Sequence, residues 1–509
     1  MRTDKSIKNA IIAVIANVVT MIVGVISQAI FVKGFGKEYL GVNSLFSNII
    51  YMLSIVELGV GTAIIYNLYK PVAENDVEKI KSLLQFYKKA YKIIAVTILI
   101  ISIILSLVLK KIVGDVQITE NVYIVFALFV IDTVFSYLIT YKRSILYATQ
   151  NTYIVNIIHI GYIICMNVVA SVIIILLGNY YIYLISKILF RILENVIVNL
   201  IAEKKYPYIN EKDNIQELDK ETLKEIIKKI KALFFHKIGE VMLLGTDSII
   251  VSKFLGIVWV GLYSNYNMIV NAISGIFGQV FSAVTASVGN LLVEENTEKI
   301  YVVYKRMILL NFWLVSFCTV SIFCMIKPFI ILWIGSDYLL SEMTVFVIVI
   351  VFYMQNMKKT LKVFKEAAGK FEKDKYIPII ESLVNILCSI FFVKHLGLIG
   401  VFIGTFLSTL VLYCYSFPKI VYKQIFKKDY KTYTIEYIGY FAIMLMAFAI
   451  SYTMISVFKF DNNFIQLLVN FIVCLIVPNI IYFMIYHNTK EFEFYKLLVK
   501  RTIERRKND

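Results

Sequence analysis

The stretch FVKGFGKEYLGVNSLFSNII, residues 31–50, is used twice. Moved forward without a gap until Phe31 meets Val251, it falls on VSKFLGIVWVGLYSNYNMIV, residues 251–270. Lys33, Gly36, Gly41 and Ser44 align with Lys253, Gly256, Gly261 and Ser264, and Ile49, Ser54, Val60 and Ala63 with Ile269, Ser274, Val280 and Ala283. The same shift sets Glu74, Glu78, Lys79 and Ile80 on Glu294, Glu298, Lys299 and Ile300. So many coincidences on one diagonal mark an internal duplication.

Composition places both copies in a membrane. The chain of 509 residues is 59% hydrophobic and 17% charged, with mean hydropathy +0.75 and only 6 prolines. A soluble chain of this length carries more charge. Apolar runs of about 20 residues, each enough to cross a hydrocarbon core of about 30 Å, recur from end to end. The first run, 9–32, has no small-residue cleavage site and is expected to be a retained helix, not a signal peptide. Cys165, Cys318, Cys324, Cys388, Cys414 and Cys474 lie in or beside apolar runs with no CxxC spacing. They read as small core residues, without disulfides or a metal site.

These runs predict an all-α polytopic membrane protein with fourteen transmembrane helices. Six form an N-terminal lobe (1–202): 9–32, 40–68, 90–109, 120–141, 153–177 and 180–202. A linker at 203–231, with Leu218, Leu223, Ile226, Ile227 and Ile230, is expected to hold an amphipathic helix on the membrane surface. Six more helices form a second lobe (232–431): 233–255, 259–289, 302–326, 338–357, 377–394 and 397–418. Two additional helices, 434–457 and 464–486, occupy 432–488, and 489–509 is a basic tail. An even number of helices per copy makes the lobes parallel, related by a pseudo-twofold axis along the membrane normal. Duplicated lobes of this kind are a transporter signature. Of 52 Lys and Arg, 42 fall in one alternating set of loops and 8 in the other. That asymmetry predicts cytoplasmic N- and C-termini. It also accounts for the net charge of +17, so anionic membrane lipids are expected partners and nucleic acid is not.

Charges inside helices cost roughly 2.5–3.5 kcal/mol each on insertion, so each needs a partner or a cavity. The densest set, Lys187, Arg191 and Glu194, shares one face of the sixth helix. Glu194 neutralises one cation and leaves a positive stripe. One reading is an anchor for an anionic group, with Arg191 as a bidentate phosphate ligand; the other is an ion pair that only packs helices. His236, Glu240 and Asp247 lie close to one face of the seventh helix. Asn17 and Gln28 add polarity to the first helix, and Asn265, Asn267 and Asn271 to the eighth. Such helices are expected to line a central substrate cavity. Asp132 and His159 are candidates for a proton-handling pair, and Glu57 and Glu381 for ion coupling. There is no P-loop, HExxH or GxSxG, and the outward loops are short. No enzyme activity and no cofactor are expected.

The segment FVKGFGKEYLGVNSLFSNIIYMLSIVELGVGTAIIYNLYKPVAENDVEKIKSL resembles polysaccharide-biosynthesis flippases of the Wzx type. These belong to the multidrug/oligosaccharidyl-lipid/polysaccharide exporter superfamily. The features are Gly36, Gly41 to Ser44, Glu57-Leu58-Gly59, Gly61-Thr62-Ala63 and the turn from Tyr66 to Pro71. The resemblance implies alternating-access movement of undecaprenyl-pyrophosphate-linked oligosaccharide from the inner to the outer leaflet of a bacterial plasma membrane, without ATP. It implies a cationic central cavity, a role in capsule or cell-wall polysaccharide, and a polysaccharide polymerase and glycosyltransferases as partners. A cation-coupled multidrug exporter of the same superfamily is the alternative; such proteins usually have twelve helices and an acidic residue in the first, whereas residues 7–32 contain no Asp or Glu. A membrane-embedded polymerase or ligase would need a large outward loop.

Overall fold

The computed structural model describes residues 2–57, 59–211, 218–370 and 376–508, and among them there is no strand. The side chains of His236 and Glu240 lie outside what is described. Two compact units divide at Ser264. The first, Met1–Ser264, opens with α1 (Arg2–Phe35), α2 (Lys37–Leu53), α3 (Val60–Glu74) and α4 (Val77–Ser106). It continues through α5 (Leu109–Val113), α6 (Val122–Ile139), α7 (Arg143–Ala148), α8 (Thr152–Leu177), α9 (Tyr180–Lys205) and α10 (Lys220–Leu255), and ends in the first turns of α11 (Ile257–Glu294).

The second unit, Asn265–Asp509, holds the rest of α11, then α12 (Thr297–Trp333), α13 (Glu342–Ala367) and α14 (Ile377–Leu396). After these, α15 (Leu398–Val411) passes into a π-helical stretch, Leu412–Phe426. The unit closes with α16 (Tyr430–Val457), α17 (Asn463–Tyr486) and α18 (Lys490–Asn508).

The duplication is written into helix boundaries. Lys37 opens α2 and Ile257 opens α11; Val77 opens α4 and Thr297 opens α12. The shift that aligns the two copies of the sequence also relates the members of each pair. Gly36 and Gly256 precede these helices with φ of 87° and 97°, a left-handed backbone that glycine adopts without a Cβ penalty. Asp76 accepts from the Lys79 N–H at 3.0 Å, and Asn296 from the Lys299 N–H at 2.9 Å, so the N-cap is duplicated as well.

Among the described residues, eleven helices are long and apolar enough to cross a membrane. The other expected segments, 180–202, 233–255 and 338–357, are helical too, as parts of α9, α10 and α13. Their charged and polar residues lower their hydropathy. Apolar side chains on outer faces, such as Ile103, Ile104, Leu107, Ile175 and Leu176, are 59–80% exposed, as a chain solvated by lipid requires. Ile64, Leu68, Leu83, Ile98, Ile145, Leu146 and Ile226 pack the core of the first unit.

Three expectations are corrected. The helix expected at 40–68 is broken: a 3₁₀ turn at Ser54–Glu57 and Gly59 at φ 86° separate α2 from α3. The linker helix is not a separate surface element. Residues 220–255 form one helix, and Leu218, Ile226 and Ile230 pack into the first unit's core. This helix packs along α2: Asn48 Nδ2 donates to Ser248 Oγ at 2.7 Å, and a Cβ on Gly245 would lie 2.2 Å from Met52 Cγ. Finally, only Cys324 and Cys474 are buried; Cys165 and Cys414 are exposed on the apolar surface.

The two added helices are part of the second unit. Glu436 on α16 accepts from Tyr422 Oη at 2.6 Å, from Lys305 Nζ at 3.2 Å and from Tyr301 Oη. On α17, Asn479 accepts from Trp313 Nε1 at 2.6 Å and Asn470 donates to the Cys324 carbonyl at 2.7 Å. The basic α18 is held by Phe492 stacked on Trp313 and by Arg306 over the Phe494 ring at 3.9 Å.

Within the first unit, the opening turns of α2 and α11 touch backbone to backbone. A Cβ on Gly41 would lie 2.1 Å from the Ile257 carbonyl oxygen, and one on Gly261 would lie 2.5 Å from that of Lys37. Backbone cannot rotate away as a side chain can. Gly41→Ala and Gly261→Ala are each expected to lower the melting temperature of the detergent-solubilised protein, by overpacking of about 1–3 kcal/mol. Gly24→Ala, where a Cβ meets nothing within 4 Å, should leave it unchanged. Fluorescence-detected thermal unfolding measures all three.

Candidate functional site

The charged residues of the first unit meet where α9 packs against α6 and α8. Asn179 starts α9 by accepting from the Ile182 N–H at 3.1 Å. From there Leu189, Leu193 and Leu200 point outward, while Glu194, Asn195 and Val198 are buried. This orientation carries the polar face of α9 into the helix bundle.

Two ion pairs form there. Arg191 Nε donates to Asp132 Oδ1 on α6 at 3.1 Å. Glu194, whose side chain is 3% exposed, accepts from Arg143 Nη2 of α7 at 3.4 Å and lies 3.0 Å from His159 Nδ1 on α8. Asn195 Oδ1 accepts from the same Arg143 nitrogen at 3.0 Å. The Tyr162 ring links the pairs: His159 stacks on it at 5.6 Å, and the Arg191 guanidinium lies 5.5 Å from its centroid.

Thus α9 does not carry an internal Arg191–Glu194 pair, and Asp132 and His159 are not partners. Residues three apart on one helix can meet, but carboxylates on neighbouring helices lie in line with each cation. Lys187 is different. Among the described residues no carboxylate lies within salt-bridge distance of it; its ammonium faces the rings of Tyr183 at 5.3 Å and Phe129 at 6.0 Å. The two pairs balance, and Lys187 remains.

The structure brings together Asp132, His159, Lys187, Arg191 and Glu194. Arg143, Asn195 and Tyr162 join them without having been expected; Arg143 lies in a two-residue basic turn that reads as loop charge. At the end of the turn, Lys142 donates to Glu203 and, at 2.7 Å, to Asn210. The Lys142 hydrogen bond holds the Glu203 carboxyl below its usual range.

Glu57 stands apart, at the break between α2 and α3. It accepts from Tyr91 Oη at 2.8 Å and from the Gly61 N–H at 3.3 Å, with Tyr87 donating to Tyr91 at 2.8 Å. A carboxylate at a helix start offsets the unpaired N–H groups there. Asn17 is exposed and donates to the Ala13 carbonyl of its own helix. Gln28 is half-buried, Asp247 is buried in α10, and the Glu240 side chain is outside the described set.

In the second unit Asn265 is fully buried, Asn267 half-buried and Asn271 exposed. Glu381 on α14 pairs with Lys358 on α13 at 3.5 Å. Beside them Asn356 Nδ2 donates to Ser274 Oγ at 3.0 Å, and Lys359 Nζ donates to the Ser274 carbonyl.

No protein-family model and no curated protein matches the sequence. Solved structures do. Lipid II flippase MurJ, in an inward closed conformation, is similar with a TM-score of 0.69 and 15% identity, over 93% of this chain and 98% of that one. An inward-facing multidrug resistance MATE family transporter of the MOP superfamily matches with a TM-score of 0.59 and 16% identity, over 79% of this chain and 95% of that one. A MOP superfamily transporter from Pyrococcus furiosus, described as having a binding pocket of reverse polarity, matches with a TM-score of 0.53 and 16% identity, over 79% of this chain and 92% of that one. At these identities the likeness is one of fold: the chain has the all-helical fold of MOP-type transporters.

Proposed function

We propose that this protein is a Wzx-type flippase, which moves undecaprenyl-pyrophosphate-linked oligosaccharide from the inner to the outer leaflet of a bacterial plasma membrane by alternating access of its two duplicated lobes. The observation that carries the reading is the charge balance on α9. Asp132 answers Arg191 and Glu194 answers Arg143, which leaves Lys187 as a cation held among aromatic rings. Such a cation favours an anionic headgroup and disfavours the cationic compounds that many drug exporters carry. Lys187, not Arg191, is therefore assigned the anion contact. Arg191, Glu194 and Asp132 position the helices around it. The fuller cover of this chain by the lipid II flippase, 93% against 79% for the multidrug transporter, supports the same choice. Polymerase and glycosyltransferase partners follow from the role in surface polysaccharide synthesis, with the termini on the cytoplasmic side.

Reconstituted in liposomes, the protein should move a fluorescent undecaprenyl-pyrophosphate-linked saccharide between leaflets, read by its accessibility to an impermeant quencher. Lys187→Ala should cut this rate by about tenfold or more, the value of one charge-assisted contact, at an unchanged melting temperature. Cation-driven extrusion of a lipophilic dye, with no lipid movement, would replace this reading with the multidrug exporter.

Arg191→Ala should behave differently. It leaves Asp132 half-buried without its partner, at a cost of up to about 3–5 kcal/mol, so the folded yield should fall. Adding Asp132→Asn should restore both yield and transport. A double variant that folds fully and still fails to transport would return the anion contact to Arg191.

A further inference from the structure

The second unit holds its own uncompensated lysine. Lys359, on α13, is half-buried between two lysines that have partners: Lys358 pairs with Glu381 at 3.5 Å and Lys362 with Glu366 at 3.8 Å. Among the described residues no carboxylate lies within 4 Å of Lys359. Its ammonium donates to the Ser274 carbonyl of α11 and lies 6.0 Å from the Phe277 ring centroid. A carbonyl within a helix already accepts its own helical hydrogen bond, so it compensates the charge only in part. Among the described residues one of its three ammonium donors is used, which leaves the others for a ligand.

The space beside it is open. A Cβ built on Gly278 would meet only the Lys359 nitrogen, at 3.8 Å, and one on Gly275 would meet nothing within 4 Å. Asn271, Gly275 and Gly278 share a face of α11 at i, i+4 and i+7, and Asn271 and Gly275 are exposed. The ammonium therefore looks along a side-chain-free floor about 10 Å long, with an amide donor at its far end. Glu381, a buried carboxylate on α14, is engaged by Lys358.

We propose that Lys359 and Asn271, across the glycine floor of α11, form a second anion subsite that takes a phosphate or diphosphate group. The floor lets a bulky anion approach the backbone where any other residue would stand in its way. Under the proposed function this anion is the diphosphate of the lipid substrate; that identity rests on that reading, while the subsite does not. The alternative for Lys359 is a tether of α13 to α11, a task already performed by the Asn356–Ser274 hydrogen bond.

The full chain in nanodiscs is titrated with a polyprenyl diphosphate and, separately, with inorganic diphosphate, and bound ligand is read by native mass spectrometry. Lys359→Met should weaken lipid binding at least about tenfold with no change in melting temperature. Lys359→Arg should retain most of it, and Lys327→Met, at the exposed pair with Glu342, should not alter it. Lipid binding unaffected by Lys359→Met overturns the subsite and leaves the flippase reading standing. Inorganic diphosphate bound in a Lys359-dependent way, with no lipid binding, keeps the subsite for a free anion and sinks the flippase reading. A wild-type protein that binds neither, or a Met variant that loses binding together with its melting temperature, overturns the subsite.

Discussion

At Gly41 and Gly261 two helices approach until backbone meets backbone. The contact is reciprocal: Gly41 faces the carbonyl of Ile257, and Gly261 faces that of Lys37, the residue that Ile257 matches in the first copy. Residue i meeting j while j′ meets i′ is what a twofold relation between two copies produces. Nothing larger than hydrogen fits at either point, so these glycines are held by geometry. The rest of the first unit depends on this crossing, since α10 enters it through Gly256 and lies along α2 from there. In lipid, where burying apolar surface gives helices little reason to associate, close approach through small residues is a principal source of helix packing.

The second constraint is the cost of charge in a medium that cannot solvate it. It explains why Asp132, Arg143, Glu194 and Arg191 are matched so closely, and why these helices carry so few ions. It also gives Lys187 and Lys359 their interest. A cation left with rings or a carbonyl as its nearest company loses stability relative to a paired one. The loss is recovered when an anion arrives. Pre-positioned, unneutralised charge of this kind binds an anion without having to break an ion pair first.

Most of the fold was legible in the sequence because its determinants are local. Caps such as Asp76 and Asn296 act within one turn, and apolar run length is read directly. The duplication was visible because it has no gaps through the first helices. The break between α2 and α3 was not legible: the hydroxyl that holds Glu57 belongs to Tyr91, 34 residues away. The partners of Arg191 and Glu194 were misread for the same reason. Helical spacing named the pair on one helix, whereas α6, α7 and α8 supply the atoms that lie in line. Lys187 was singled out with its neighbours, but that it has no carboxylate partner among the described residues, as Arg191 has, depends on other helices. The continuity of α10 with the linker was hidden by charges, which read as a surface segment.

The repeat also separates what the scaffold requires from what the site requires. Lys33, Gly36, Gly41 and Ser44 recur in the second copy, and so do the starts of α2, α4 and α6, in α11, α12 and α13. The charged residues of the bundle do not. The positions matching Asp132 and Arg143 are Phe352 and Val363, and α15, which follows α14 as α9 follows α8, holds no charged residue; Glu57 matches Phe277, and α11 runs on unbroken there. Lys359 matches Ile139. A glycine in a backbone crossing has no substitute, so both copies keep it. A buried charge is tolerated only with its own neighbours, so it must change together with them, and each copy has acquired a different set. Two lysines without a carboxylate within salt-bridge distance among the described residues therefore stand in different surroundings, Lys187 on α9 framed by aromatic rings and Lys359 on α13 beside the Ser274 carbonyl. Copies that bound the same group in the same way would have kept the same ions.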